Sequence, residues 1–294
     1  MNVVVAPSAG FCRGVRNAVT RARECAERST GLQPVVVENT RVENPRPVFT
    51  DGPLIHNKQM MKELAREGVA ETDAPETLAP GSTLVIRAHG IAPERRAFLK
   101  SLPLELVDAT CPDVARIQSQ IRLHARQGKA VLIYGDHGHA EVVGLLGFAE
   151  GRGRVVSSVA EVADLPQTTQ SNVCLVAQST QFPFAYAEVA EAVKQRFQKV
   201  AVLDTICDAT KNRQREVEEL AVECGALVVV GGHHSANTLR LVELARTFKP
   251  TFHVETAAEL QGSDFASFSC VGLTAGASTP DFLLDETRRV LEAF

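Results

Sequence analysis

The sequence predicts an α/β fold built from three related units. Short apolar runs recur along the chain, the segments between them have helical periodicity, and Cys12, Cys111 and Cys207 recur at near-equal spacing. The runs are 3–5 (VVV), 84–86, 104–107, 130–134 (AVLIY), 173–177, 201–203, 226–230 (ALVVV) and 270–273. Continuous apolar runs without alternation suit strands buried on both faces of a parallel sheet. Each cysteine is followed by one helical face: Val15, Ala18, Ala22 and Ala26; then Val114, Ile117 and Ile121; then Val217, Leu220 and Cys224. Strand alternating with helix reads as βαβ units.

The repeat sets the domain organisation. The three cysteines lie 99 and 96 residues apart, in rhyming contexts such as VDATCP at 107–112 and LDTICDAT at 203–210. His139 and Ser235 each follow their own cysteine by 28 residues, and Glu141 and Asn237 by 30. Late in each unit comes a polar turn: 87–90 (RAHG), 178–180 (QST) and 274–278 (TAGAS). The expected units are 1–103, 104–199 and 200–294, carrying Cys12, Cys111 and Cys207 respectively. The first has a Pro-containing loop inserted between Glu38 and His56, and 73–83 and 151–154 read as linkers.

Composition removes several classes of function. The 294 residues carry a net charge of −4 with no Lys/Arg run, which argues against a phosphate-driven nucleic-acid partner. Hydrophobic residues make up 45 % and charged residues 22 %, which excludes a disordered chain. No apolar stretch approaches the roughly 20 residues that span a bilayer. The first residues lack a signal-peptide pattern, so no membrane association and a cytoplasmic location are expected. Seven cysteines without a Cys-x-x-Cys pair are poor material for a disulfide framework or a two-pair zinc site.

Ligands of open α/β sheets bind beyond the carboxyl ends of the strands, so three such units facing one point deliver three thiols there. Three thiolates without a fourth suit an iron–sulfur cluster with one open iron. Zinc with a histidine as fourth ligand is the alternative. Cys25, Cys174, Cys224 and Cys270 read as small core residues. His56, His89 and His139 sit where the repeat points inward, and with Ser235, Asn237 and Ser278 they can hold a diphosphate. His124, His137, His233, His234 and His253 have weaker claims. No Walker A or Gly-x-Gly-x-x-Gly pattern supports a nucleotide. Glu141 is the acidic residue at an inward repeat position and can deliver protons, with Ser179 and Thr180 relaying or orienting them.

The strings AGFCRGVRNAV, GPLIHN, RAHG, VDATCPDV, GHAEVVG, AQST, DTICDATKNRQ, SANT and TAGASTPD, in this order, resemble the 4-hydroxy-3-methylbut-2-enyl diphosphate reductase (IspH/LytB) family from Val3 to Asp281. The resemblance implies three α/β units arranged as a cloverleaf around one central [4Fe–4S] cluster per chain, held by Cys12, Cys111 and Cys207. It implies reductive removal of the hydroxyl from a small diphosphate substrate, the last step of the methylerythritol phosphate route to isoprenoids. His56, His89 and His139 would line the pocket, Ser235, Asn237 and Ser278 would hold the diphosphate, and Glu141 would be the catalytic acid. A ferredoxin or flavodoxin would donate electrons. Three positions depart from the family pattern: Ser179 stands for threonine, Ala236 for a second serine and Ala140 for proline. The rival readings are a quinolinate-synthase-like cluster enzyme, disfavoured by the motif strings, and a cluster-based redox sensor.

Overall fold

The computed structural model describes residues 1–29, 36–37, 40–41, 47–165 and 172–294. The chain opens with strand β1 (Asn2–Val5) and helix α1 (Arg13–Ser29), followed by a two-stranded antiparallel hairpin, β2 (Val36–Val37) and β3 (Thr40–Arg41). Next come β4 (Val48–Asp51), α2 (Lys58–Arg66), β5 (Val69–Thr72), β6 (Thr83–Ile86), α3 (Pro93–Ser101) and β7 (Glu105–Asp108). The middle third holds α4 (Pro112–Arg126), β8 (Ala130–Tyr134), α5 (Ala140–Gly147), β9 (Gly153–Val156), α6 (Val159–Ala163), β10 (Asn172–Ala177), α7 (Pro183–Arg196) and β11 (Lys199–Val202). The last third holds α8 (Asp208–Glu223), β12 (Ala226–Val230), α9 (Ala236–Arg246), β13 (Thr251–Val254), α10 (Gly262–Phe265), β14 (Cys270–Ala275) and α11 (Asp281–Ala293).

Three four-stranded parallel sheets result, ordered β5-β4-β6-β7, β11-β10-β8-β9 and β1-β14-β12-β13. Most residues of their inner strands are buried, and every residue of β6 and β12 is, which suits unbroken apolar runs there. Fully burying such an aliphatic side chain is worth about 1.5–3 kcal/mol, which is why these runs dictate the sheet centres.

The sheets do not divide where the sequence units do. The expected boundaries at 103/104 and 199/200 would place β7 in the second unit and most of β11 in the third. Instead β7 completes the first sheet beside β6, β11 completes the second beside β10, and β1 completes the third beside β14. After each of these strands the helix docks on a different sheet. Ala18, Val19 and Ala22 of α1 pack with Val48, Leu64 and Val85; Ile117 and Ile121 of α4 pack with Val131 and Ile133; Val217 and Leu220 of α8 pack with Leu227 and Val229. The chain therefore changes sheet three times, and each crossing carries one of the repeated cysteines. The repeat length is visible in sequence, but its phase depends on which sheet accepts the strand.

Besides the short β2–β3 hairpin, four described strands of the parallel sheets lie outside the expected apolar runs: β4, β5, β9 and β13. β4 (VFTD) lies inside the stretch expected to be a loop; residues 38–39 and 42–46 of that stretch lie outside the described residues. Its buried Thr50 hydroxyl donates to the Gly52 carbonyl at 2.8 Å and its buried Asp51 accepts from Arg95 at 2.6 Å, so polar residues occupy an inner strand without an unpaired group. β9 (GRVV) begins inside the 151–154 stretch expected as a linker; β9, β5 and β13 are edge strands with partly exposed residues, which need no continuous apolar run.

Candidate active site

One backbone hydrogen bond is used three times. The Cys12 N–H donates to the Ala277 carbonyl at 3.0 Å, the Cys111 N–H to the Ala88 carbonyl at 2.9 Å, and the Cys207 N–H to the Ser179 carbonyl at 3.1 Å. Ala277, Ala88 and Ser179 lie in the polar turns after β14, β6 and β10. Each cysteine carbonyl then accepts the first bond of its helix, from Arg16, Ala115 and Lys211. Each sulfur thus sits at the N-terminal end of a helix, where partial positive charge gathers. The Val15 N–H donates to Cys12 Sγ at 3.4 Å, the Val114 and Asp113 N–H groups reach the Cys111 sulfur, and the Thr210 hydroxyl lies 3.2 Å from Cys207 Sγ.

These donors do not outweigh burial. Burial pushes the Cys111 thiol up to about 11 and raises Cys207 as well. At neutral pH such sulfurs become thiolates when a metal cation replaces their protons. The first turn of α1 closes over Cys111: a Cβ on Gly14 would lie 2.5 Å from Cys111 Sγ. Gly14→Ala is therefore expected to displace that sulfur and to lower the iron bound per chain after anaerobic reconstitution; full loading would refute the requirement.

All three sulfurs line one cavity of about 120 Å³, together with His56, His89, His139, Glu141, Ser179, Thr180, Ser235, Asn237 and Ser278. Every site residue picked out in the sequence therefore borders the same space. The five remaining histidines are absent from its wall. His124 lies beside Lys129, His137 beside Glu161, and His233 against the ring of His253. Cys25 and Cys174 belong to hydrophobic cores.

The histidines form a triangle with ring centroids 4.4 Å (His56–His89), 5.4 Å (His56–His139) and 5.7 Å (His89–His139) apart. Burial holds all three below the usual imidazole range, His139 at about 4 and His89 well below. They are neutral near pH 7 and offer ring N–H donors. His56 Nε2, His89 Nδ1 and Asn237 Nδ2 are buried without a hydrogen-bond partner. Such groups are rare in folded proteins, and a ligand in the cavity would pair them. The ring nitrogens lie within 4.8 Å of one another, close enough to share a cation. Helices α5 and α9 also start at the cavity, capped by His139 and Ser235, and their N-terminal ends favour an anion there. Ser278 donates its hydroxyl to the His56 carbonyl at 3.1 Å and so fixes the first histidine's loop.

Glu141 is 2 % exposed. Its Oε1 accepts the Ser179 N–H at 2.7 Å and its Oε2 accepts the Ser179 hydroxyl at 2.8 Å. Desolvation raises its pKa, against the opposing pull of these two bonds and of Arg240. The Arg240 guanidinium is fixed by Asp136 at 2.6 Å and also donates to the Thr180 hydroxyl at 3.4 Å. That hydroxyl accepts from Gln178 as well, at 3.1 Å, leaving its own proton free to donate.

Sequence reasoning gave no role to Arg240 or Arg213, read Gln178 only as part of a polar turn, and read Gly14 only as a turn former or a point of close backbone approach to phosphate. Arg213 is buried and donates to the Gly10 carbonyl at 2.6 Å, placing positive charge near Cys12 and Cys207. A signal for it existed: Arg213 falls on the same helical face as Val217, Leu220 and Cys224, where a charge interrupts an apolar stripe. Gln178 was visible only as a polar-turn residue, since its role depends on that turn being brought beside Asp136, where its Oε1 accepts the Asp136 N–H at 2.9 Å.

Three parallel sheets exchanging strands around a buried cavity, with one cysteine at each crossing, define a three-unit α/β protein with a central thiol-lined ligand site. A family model described as "LytB protein" matches residues 3–292. A 4-hydroxy-3-methylbut-2-enyl diphosphate reductase of Opitutus terrae is 48 % identical over all of both chains, and one of Solidesulfovibrio magneticus is 38 % identical over the same full extent. Among solved structures, an (E)-4-hydroxy-3-methyl-but-2-enyl diphosphate reductase, described as the terminal enzyme of the non-mevalonate pathway, aligns with a TM-score of 0.72 at 34 % identity over 100 % of each chain. An E-1-hydroxy-2-methyl-but-2-enyl-4-diphosphate reductase from Plasmodium falciparum aligns with a TM-score of 0.87 at 25 % identity, over 99 % of this chain and 87 % of that one. The chain belongs to the LytB family.

Proposed function

We propose that the protein is an oxidoreductase that removes the hydroxyl of 4-hydroxy-3-methylbut-2-enyl diphosphate to give isopentenyl and dimethylallyl diphosphates. The observation that carries this reading is the composition of a single cavity, whose wall holds three thiols, unpartnered polar groups and a buried carboxyl together. The three thiols, with no other cysteine in the wall, fit a [4Fe–4S] cluster held by Cys12, Cys111 and Cys207. When bound, such a cluster supplies single electrons and an open, Lewis-acidic iron.

The chain's own groups do the rest. His56, His89, His139 and Asn237 donate to the diphosphate oxygens, with Ser235 and Ser278 shaping the walls and the N-termini of α5 and α9 facing its charge. This grip fixes the far end of the substrate, so binding energy there orients the reacting end. Burial favours the neutral form of the Glu141 carboxyl, which carries a proton to the departing hydroxyl, and this leaves as water. Ser179 fixes the carboxyl's orientation, and Thr180 presents a second hydroxyl proton. Overall, two electrons and two protons convert the C–OH to C–H plus water. A ferredoxin or flavodoxin is the proposed electron donor, and the cytoplasm the proposed location; among the described residues no helix is long and apolar enough to cross a membrane. The segments 1–103, 104–199 and 200–294 are proposed as repeats of one unit, each lending its opening strand to a neighbouring sheet.

Anaerobic reconstitution followed by substrate consumption with reduced viologen tests the function directly. Iron and sulfide uptake together with formation of both products is expected; a loaded protein that leaves the substrate intact would refute it. Asn237→Ala removes a donor to a charged oxygen, and a hydrogen bond of that kind is worth about 1.5–3 kcal/mol. KM is expected to rise roughly tenfold to a hundredfold with kcat nearly unchanged, the pattern of lost uniform binding. An unchanged KM would take Asn237 out of the diphosphate site.

A further inference from the structure

A second pair of sulfurs meets far from the cavity. Cys224 caps the C-terminal end of α8 and Cys270 begins β14, and their Sγ atoms lie 2.9 Å apart. Ordinary nonbonded carbon contacts lie at roughly 3.5–4.0 Å, and sulfur is the larger atom, so this pair is in unusually close contact. The backbone suits a covalent bridge. The Gly225 N–H donates to the Cys270 carbonyl at 3.0 Å and Ala226 pairs with Val271, so Cys224, in the turn between α8 and β12, lies beside Cys270, the first residue of the neighbouring strand β14. A residue one step off a direct partner, about 3.3 Å along and about 4.8 Å across, still falls within the roughly 4.4–6.8 Å between Cα atoms that a disulfide joins.

The two thiols differ in access. Cys224 is 2 % exposed, whereas Cys270 is partly exposed and its sulfur accepts from the Asn2 side-chain amide at 3.7 Å. A reagent from solvent therefore meets Cys270 first, with Cys224 directly behind it. The pair is separate from the active cavity: α8 spans 16 residues, about 24 Å at 1.5 Å per residue, between the Cys207 end and the Cys224 end.

We propose that Cys224 and Cys270 form a reversible disulfide with a small-molecule disulfide, such as oxidised glutathione, as the oxidant. The Cys270 thiolate attacks one glutathione sulfur, forming a mixed disulfide and releasing one glutathione thiolate. The Cys224 sulfur, giving up its proton, attacks Cys270 Sγ, breaks the mixed bond and releases the second glutathione. The two protein thiols lose two electrons, glutathione disulfide gains them, and the two protons end on the two glutathione thiols. The bridge spans 46 residues of chain and ties the far end of α8 to the start of β14. It braces the elements that carry Cys207 and lead to Ser278, without touching either residue.

The test uses cluster-loaded full-length protein under anaerobic conditions, equilibrated against graded ratios of reduced and oxidised glutathione. The samples are acid-quenched, alkylated and mapped by peptide mass spectrometry. A Cys224–Cys270 crosslinked peptide is expected, with loss of two alkylatable thiols, unchanged iron content and full reversal by dithiothreitol. Cys224→Ser is expected to accumulate glutathione on Cys270, and Cys270→Ser to leave Cys224 reduced. Wild-type protein in which both thiols stay alkylatable at every ratio, or in which the mixed disulfide on Cys270 persists unresolved, would overturn the proposal.

Discussion

Cys111→Ser protein is expected to purify without iron or sulfide and not to turn over substrate. The substitution removes one sulfur of three, and a serine hydroxyl is a harder donor that stays protonated where a thiol yields its proton to a metal. Nothing else in the site can take its place. The Val114 and Asp113 N–H groups aim at that position, Gly14 leaves no slack above it, and the other described cysteines are held in cores or at the far end of α8. The backbone anchor is indifferent to the side chain, because it is the Cys111 N–H that donates to the Ala88 carbonyl. The variant should therefore keep its far-ultraviolet circular dichroism while losing its visible absorbance. Cys25→Ser, which alters a core thiol, should keep both. Retained iron and sulfide in Cys111→Ser would remove this residue from the ligand set and with it the threefold logic of the site.

The contrast between Cys111 and Gln178 shows what the sequence could and could not reveal. Inner strands such as β12 announce themselves because burial on both faces demands unbroken apolar runs. The three cysteines announce themselves because a repeated backbone geometry repeats its local residues. β4 hid because its polar residues are satisfied by Gly52 and Arg95, partners that exist after folding. The phase of the units hid for a related reason. Whether β7 joins the sheet before it or after it is a tertiary choice, and a strand of the same composition satisfies either. Arg240 and Gln178 lie in the same gap: each acts through an element distant in sequence, Arg240 through Asp136 and Thr180, Gln178 through the Asp136 amide. Residues facing the centre at repeat positions were legible, and the groups that hold those residues in place were not.

Glu141→Gln tests the other end of the chemistry. The glutamine side chain is nearly isosteric. Its oxygen can keep the Ser179 N–H bond, and the Ser179 hydroxyl can turn to accept from its NH₂ group, so the local structure survives. What is lost is the transferable proton. Iron and sulfide content should match the wild type, KM should change little, and kcat should fall roughly 10²-fold or more, the usual range for a lost general acid. The pH profile separates this from a packing defect. Burial raises the wild-type Glu141 pKa above its unfolded value, so activity that needs the protonated carboxyl falls as pH rises through that folded value. Stability follows the same sign: the contribution of the neutral carboxyl is fully present below the unfolded pKa of about 4.3 and is lost as pH rises through the folded one. Glutamine does not titrate, so the variant should lose this alkaline limb from both its residual activity and its unfolding curve. A variant that is slow yet keeps the wild-type limb would show that another group sets it, and unchanged turnover would take Glu141 out of the mechanism.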